Sequence, residues 1–191
     1  MKSNVISVEP QPIFIHYLKR KFKPVQYFKL IEGVVGSKTE KINFQINTMS
    51  PTISTARDKF WQQSINTYSS YRPPWDSEIE TPSYTLDYLI SEYGVPQFCK
   101  IDTEGFEWEV LQGLHHAIPC LSIEFLAFDL ERGLLCIEKM AELGKYKINF
   151  SPGESQTFLW DEWKSVHEVK NILVNNDLDY KFGDLYFKIF N

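Results

Sequence analysis

The residues able to do chemistry gather in one stretch. Phe98 to Gly113 reads FCKIDTEGFEWEVLQG. An apolar run, Phe98 to Ile101, ends in Asp102. Glu104 and Gly105 follow, then Phe106, Val110 and Leu111 at helical spacing, with Gly113 as a stop. The pattern predicts a buried strand running into a helix. A second apolar run, Cys120 to Phe125, also closes on a carboxylate, Glu124. In open α/β sheets ligands bind at the carboxyl ends of strands. A carboxylate placed there can orient a hydroxyl or take its proton. The plainer reading makes Asp102 a helix N-cap and Glu124 a strand-end carboxylate. A third carboxylate, Glu9, ends the run VISVEP. A carboxylate at such a place accepts hydrogen bonds from two neighbouring hydroxyls, as on a ribose.

The string from Lys100 to Gly113 resembles the signature of the FkbM family of methyltransferases, LKIDVEG-x-E-x-x-VL-x-G. Lys100, Ile101, Asp102, Glu104, Gly105, Glu107, Val110, Leu111 and Gly113 match it; Cys99 and Thr103 depart from it. VISVEP is similar to the family's V-x-A-x-E-P, and Thr85-Leu86-Asp87 to its TLD. Glu32 to Gly36 fit the family's A-V-G turn loosely. The resemblance implies an α/β fold, the Rossmann-like class I methyltransferase sheet, mostly parallel. It implies S-adenosylmethionine as cofactor, and methyl transfer to a hydroxyl oxygen of a small molecule or glycan. Glu9 would hold the ribose, and Glu32, Gly33 and Val34 would border the adenine. Asp102 and Glu104 would face the cofactor, while Asp102 and Glu124 would serve as catalytic carboxylates.

The family's Gly-rich turn, similar to DVGANIG, has no counterpart here. By resemblance the sheet lacks its first strand-helix unit, roughly thirty residues by the size of such a unit. Two inner strands would then expose free edges. They could close on each other, a homo-oligomer or second chain could complete the sheet, or the chain is a remnant. The competing reading is therefore a catalytically silent domain with a binding or scaffold role.

Composition sets the bounds. The 191 residues suit one domain, 1–191, with a packed core: 43% are hydrophobic and 24% charged. The net charge of −5 gives no support to a nucleic-acid partner. No run is long enough to span a membrane, and no signal peptide is visible, so a cytoplasmic protein is expected. Cys99, Cys120 and Cys136 lie in apolar runs and read as buried thiols. No metal-ligand spacing and no G-x-S-x-G elbow occur, so neither a metal centre nor hydrolase chemistry is expected. His115 and His116 fall outside the family pattern and read as surface or capping residues.

The positioning elements follow in order. Val5 to Val8 predicts a strand, and Pro12 opens a helix that the basic run Lys19 to Lys23 closes. Ile42, Phe44 and Ile46 alternate as a half-buried strand. Residues 49–83 look irregular and ring-rich, with a short helix from Arg57 to Ile65; they read as a lid or acceptor-binding insertion. Thr85 starts a helix that Gly94 ends. Helices are expected from about Glu131 to Leu143 and from Asp161 to about Val174, and strands from Tyr146 to Phe150 and Gly183 to Phe190.

Overall fold

The computed structural model describes residues 3–57 and 75–190. The helix expected from Arg57 to Ile65, and the centre of the expected insertion, lie outside the described residues apart from Arg57 itself. The chain divides into two compact units, Met1–Thr85 and Leu86–Asn191.

The first unit opens with β1 (Val5–Glu9), α1 (Pro12–Phe22) and β2 (Phe28–Glu32). β1 and β2 pair in parallel, from Val5 opposite Phe28 to Glu9 opposite Glu32. Pro12 fits the first helical turn, where its missing N–H is no loss. Lys19, Arg20 and Lys21 fill the last turn, where the helix dipole favours cations. Phe22 stacks on Phe28 with centroids 4.4 Å apart. A second sheet follows, made of β3 (Val34–Val35), β4 (Glu40–Ile46) and β5 (Ser77–Tyr84), in the order β3-β5-β4.

β5 falls inside the segment expected to be irregular. Its polar residues and Pro82 hide the strand in the sequence, because proline argues against a central strand. It is tolerated because the β3 ladder begins one residue later, at Ser83. Gly33 sits at φ 147°, and a Cβ there would meet the Pro82 carbonyl oxygen at 2.5 Å. Glycine is needed at this point for a close backbone approach.

The second unit contains α2 (Leu86–Tyr93), β6 (Cys99–Ile101), α3 (Glu107–Gln112), β7 (Cys120–Leu126), α4 (Leu130–Leu143), β8 (Tyr146–Pro152), β9 (Lys164–Ser165), α5 (Val166–Val174) and β10 (Phe182–Ile189). The five strands form one sheet in the order β6-β7-β10-β8-β9. Leu121, Ile123, Ile148, Phe150, Leu185 and Phe187 are almost wholly buried on one face. α4 packs against β7, and α5 against β8, to cover it. The helix expected from Asp161 begins only at Val166. Ser165 caps it, accepting from the Glu168 N–H while the Glu168 carboxylate accepts the Ser165 N–H in return.

The fold is thus mixed α/β. The expected mostly parallel sheet is not what forms: β1–β2, β3–β5 and β6–β7 are parallel, whereas β4–β5, β7–β10, β10–β8 and β8–β9 are antiparallel. Alternation in the sequence reveals which face a residue joins, not which way its strand runs.

Candidate functional site

β6 ends at Ile101 and Asp102 follows directly, as the sequence suggests. Asp102 is not the cap of α3. That helix starts at Glu107, and the residue before it, Phe106, makes no side-chain cap bond. The intervening turn is tight. Glu104 has φ 54° and Gly105 φ 93°, both left-handed. Glu107 holds the turn together. Its Oε1 accepts from the Thr103 N–H at 2.8 Å, the Thr103 hydroxyl at 2.8 Å and the Gly105 N–H at 3.3 Å. Burial raises the Glu107 carboxyl above its usual range, and these donors oppose the rise.

Strand alternation puts Lys100 two residues before Asp102. Its Nζ lies 3.2 Å from Asp102 Oδ2, and 3.1 and 3.2 Å from the two oxygens of Asp184 on β10. Burial opposes the charge on Lys100, but the two aspartates win and raise its pKa. Asp184 stands directly opposite Glu124 in the β7–β10 ladder.

Glu124 is strongly perturbed. Burial first, then the carboxylates of Glu104, Glu107, Asp102 and Asp184, push it up to about 9. Its Oε2 is buried without a hydrogen-bond partner among the described residues. Carboxylate oxygens of Asp102, Glu104 and Glu124 come within 4.8 Å of one another. Such an array favours a positively charged group beside it. Glu124 also borders a small, open recess that Glu107, Trp108, Phe125, Arg132 and Cys136 help to line. Arg132 Nη1 donates to both Glu109 oxygens, at 2.8 and 2.6 Å.

The remaining candidates lie in the first unit. Glu9 and Glu32 are register partners at the carboxyl ends of β1 and β2. Glu9 Oε1 accepts the Gln11 N–H at 2.8 Å, and burial outweighs that bond to raise its pKa. Glu32 pairs with Lys19 at 2.5 Å and is about half exposed. Gly33 makes its close approach to Pro82, and Val34 is buried against the core.

His115 and His116 are tied down rather than aimed at a site. Both Nδ1 atoms contact the Asp87 carboxylate, at 2.7 and 2.8 Å. Burial raises the Asp87 pKa, but the His115 N–H and the two rings overcome it, and the net shift is downward. The three cysteines are free; burial pushes Cys99 up to about 11 and raises Cys120 and Cys136.

The sequence reading missed Lys100, Glu107 and Asp184 as site residues. Glu107 is signalled by its i+4 spacing from Thr103, and Lys100 by its i−2 spacing from Asp102. Asp184 has no local signal, because only the ladder brings it to Glu124.

A mixed α/β fold hosts many unrelated activities, so the fold by itself does not name one. Residues 1–182 match the FkbM methyltransferase domain family, and the chain belongs to it. No curated protein matches the chain. Membership supports methyl transfer as the general activity. No helix among the described residues is long and apolar enough to cross a membrane.

Proposed function

We propose that the chain supports S-adenosylmethionine-dependent methyl transfer to a hydroxyl oxygen of a small molecule or glycan. The observation that carries this reading is the acidic turn after β6 with the unpartnered Glu124 oxygen beside it. S-adenosylmethionine supplies a methyl group on a cationic sulfur, and an array of carboxylates suits that charge. Asp102 and Glu104 face the cofactor in this reading. Lys100 holds Asp102 in place for the acceptor, and the Asp102 carboxylate would take the hydroxyl proton as the methyl passes from sulfur to oxygen, the C–S bond breaking as the C–O bond forms and a neutral thioether leaving. Glu124, with its carboxyl raised to about 9, carries its own proton near neutral pH and donates it in a hydrogen bond that orients the acceptor oxygen. For the first unit taken by itself, Glu9 is the candidate to grip a ribose and Glu32, Gly33 and Val34 are the candidates to border an adenine.

Titration calorimetry with S-adenosylmethionine tests this. Saturable binding that Glu9→Ala abolishes supports it. A folded chain that takes up neither S-adenosylmethionine nor S-adenosylhomocysteine is instead a silent domain, or one that needs a second chain to complete its sheet. The Gln11 N–H already takes one of the acceptor positions of the Glu9 carboxylate, which gives some support to that second reading.

A further inference from the structure

Asp184 lies beyond residues 1–182, the stretch that matches the family, so the signature assigns it nothing. The sheet fixes its place. β10 is paired on both sides, and Asp184 stands opposite Glu124 of β7 and Ser151 of β8. Its carboxylate reaches a strand further off. Lys100 Nζ, on β6, donates to both Asp184 oxygens at 3.1 and 3.2 Å. The same Nζ lies 3.2 Å from Asp102 Oδ2. β7 runs between β6 and β10. An ammonium that touches carboxylates from both of these strands must lie over β7. It does so on the face that carries Glu124, since Lys100 is in register with Ser122, two residues before Glu124.

The plain account is a surface ion pair that staples β6 to β10. Exposed pairs of that kind contribute little, and backbone ladders already hold both strands to β7. Asp184 is also more enclosed than its partners. Its side chain is 21% exposed, against 47% for Lys100 and 44% for Asp102. Partial burial weakens the screening of its charge, so a ligand beside the turn feels it. Lys100, Asp102 and Asp184 together are net negative, with one cation between two carboxylates. Without the Asp184 charge, the ammonium would belong to Asp102 alone and the group would be neutral.

Resting on the methyl-transfer reading, we propose that Asp184 is a positioning residue of this site: it draws the Lys100 ammonium across β7, and so keeps the turn negative enough to prefer the cationic sulfonium of S-adenosylmethionine over the neutral thioether of S-adenosylhomocysteine. Methyl transfer removes the positive charge from sulfur. The attraction that holds the methyl donor is therefore lost as the product forms. Asp184 thereby favours exchange of spent cofactor for fresh.

Calorimetry on the full chain at neutral pH tests this, with both ligands titrated separately. The quantity read is the dissociation constant of S-adenosylhomocysteine divided by that of S-adenosylmethionine. Asp184→Asn should lower this ratio about threefold or more. Asp184→Glu keeps the charge and should hold the ratio near its native value. Lys100→Gln removes the opposing charge and should raise it. Added salt should pull the native ratio toward that of Asp184→Asn. A merely structural role would weaken both ligands alike, and would not give opposite signs from the two partners of one ion pair. Circular dichroism checks the folding of each variant, and if Asp184→Asn does not fold, the sign of the Lys100→Gln shift decides. Binding of both ligands with a ratio that Asp184→Asn leaves unmoved, or that Lys100→Gln lowers, overturns this inference and leaves the methyl-transfer reading standing. A folded chain that binds neither ligand overturns both.

Discussion

Two parallel strand pairs in this chain end in carboxylates, and they meet their charges differently. At the ends of β1 and β2, Glu9 and Glu32 stand side by side, and each has its own donor: Gln11 N–H for Glu9 and Lys19 for Glu32. At the ends of β6 and β7, Lys100 is shared by Asp102 and Asp184, while Glu104, Glu107 and Glu124 crowd the same turn. The first arrangement relieves its charges with local partners and solvent. The second concentrates them under burial and resolves the excess by keeping Glu124 protonated. Unpaired charge that burial forbids is the kind of perturbation found at functional sites. A carboxylate at a strand end is therefore not enough; what it is buried against decides its chemistry.

The largest test of this contrast is Glu107→Ala. One oxygen of Glu107 satisfies three donors of the turn that carries Glu104. Removing it strands buried N–H groups and should cost roughly 3 kcal/mol of stability in chemical denaturation. A loss within 0.5 kcal/mol or so, the scale of an ordinary surface change, would mean the turn does not depend on Glu107.

Glu124→Gln comes next, and its effect depends on pH. The folded carboxyl titrates near 9, above its unfolded value. Between the two values the unfolded chain has released a proton that the folded chain keeps, so stability falls as pH rises through this window. Glutamine has no proton to release. The variant should gain on the order of 3 kcal/mol over the native chain at pH 8, after discounting the shift for neighbouring charges, and little at pH 4. Parallel melting curves across that range would disprove the raised carboxyl. Glu9→Gln should show the same sign with a smaller change, because Glu9 is only partly buried and keeps a backbone donor.

The sequence displayed the second site better than the first. Asp102 and Glu124 stand out because each interrupts an apolar run, and burial of such a run forces its polar end to the sheet's rim. The boundaries of α4, β8 and β10 were legible for the same reason. Strand direction was not, because period-two alternation is the same whichever way a strand points. β5 stayed hidden because Pro82 and its polar neighbours mask the alternation of Ile79, Thr81 and Ser83. Asp184 could not be found at all before the ladder brought it opposite Glu124. The cap reading of Asp102 failed because Glu107 satisfies the turn's donors from inside the helix.

The smallest effect carries the other half of the comparison. Glu32 and Lys19 form a close pair at 2.5 Å, yet both side chains are more than half exposed. Solvent screens their attraction, and ordering two long side chains offsets what remains. Glu32→Gln should therefore change stability by less than about 0.5 kcal/mol, and raising the salt concentration should erase even that. If Glu32 instead borders the adenine, the same variant weakens S-adenosylmethionine binding while leaving the melting curve in place. Calorimetry and melting then separate on one residue. A variant that moves the melting curve by several degrees without touching binding would show that the first strand pair is held by its charges after all, and the contrast between the two strand ends would fail.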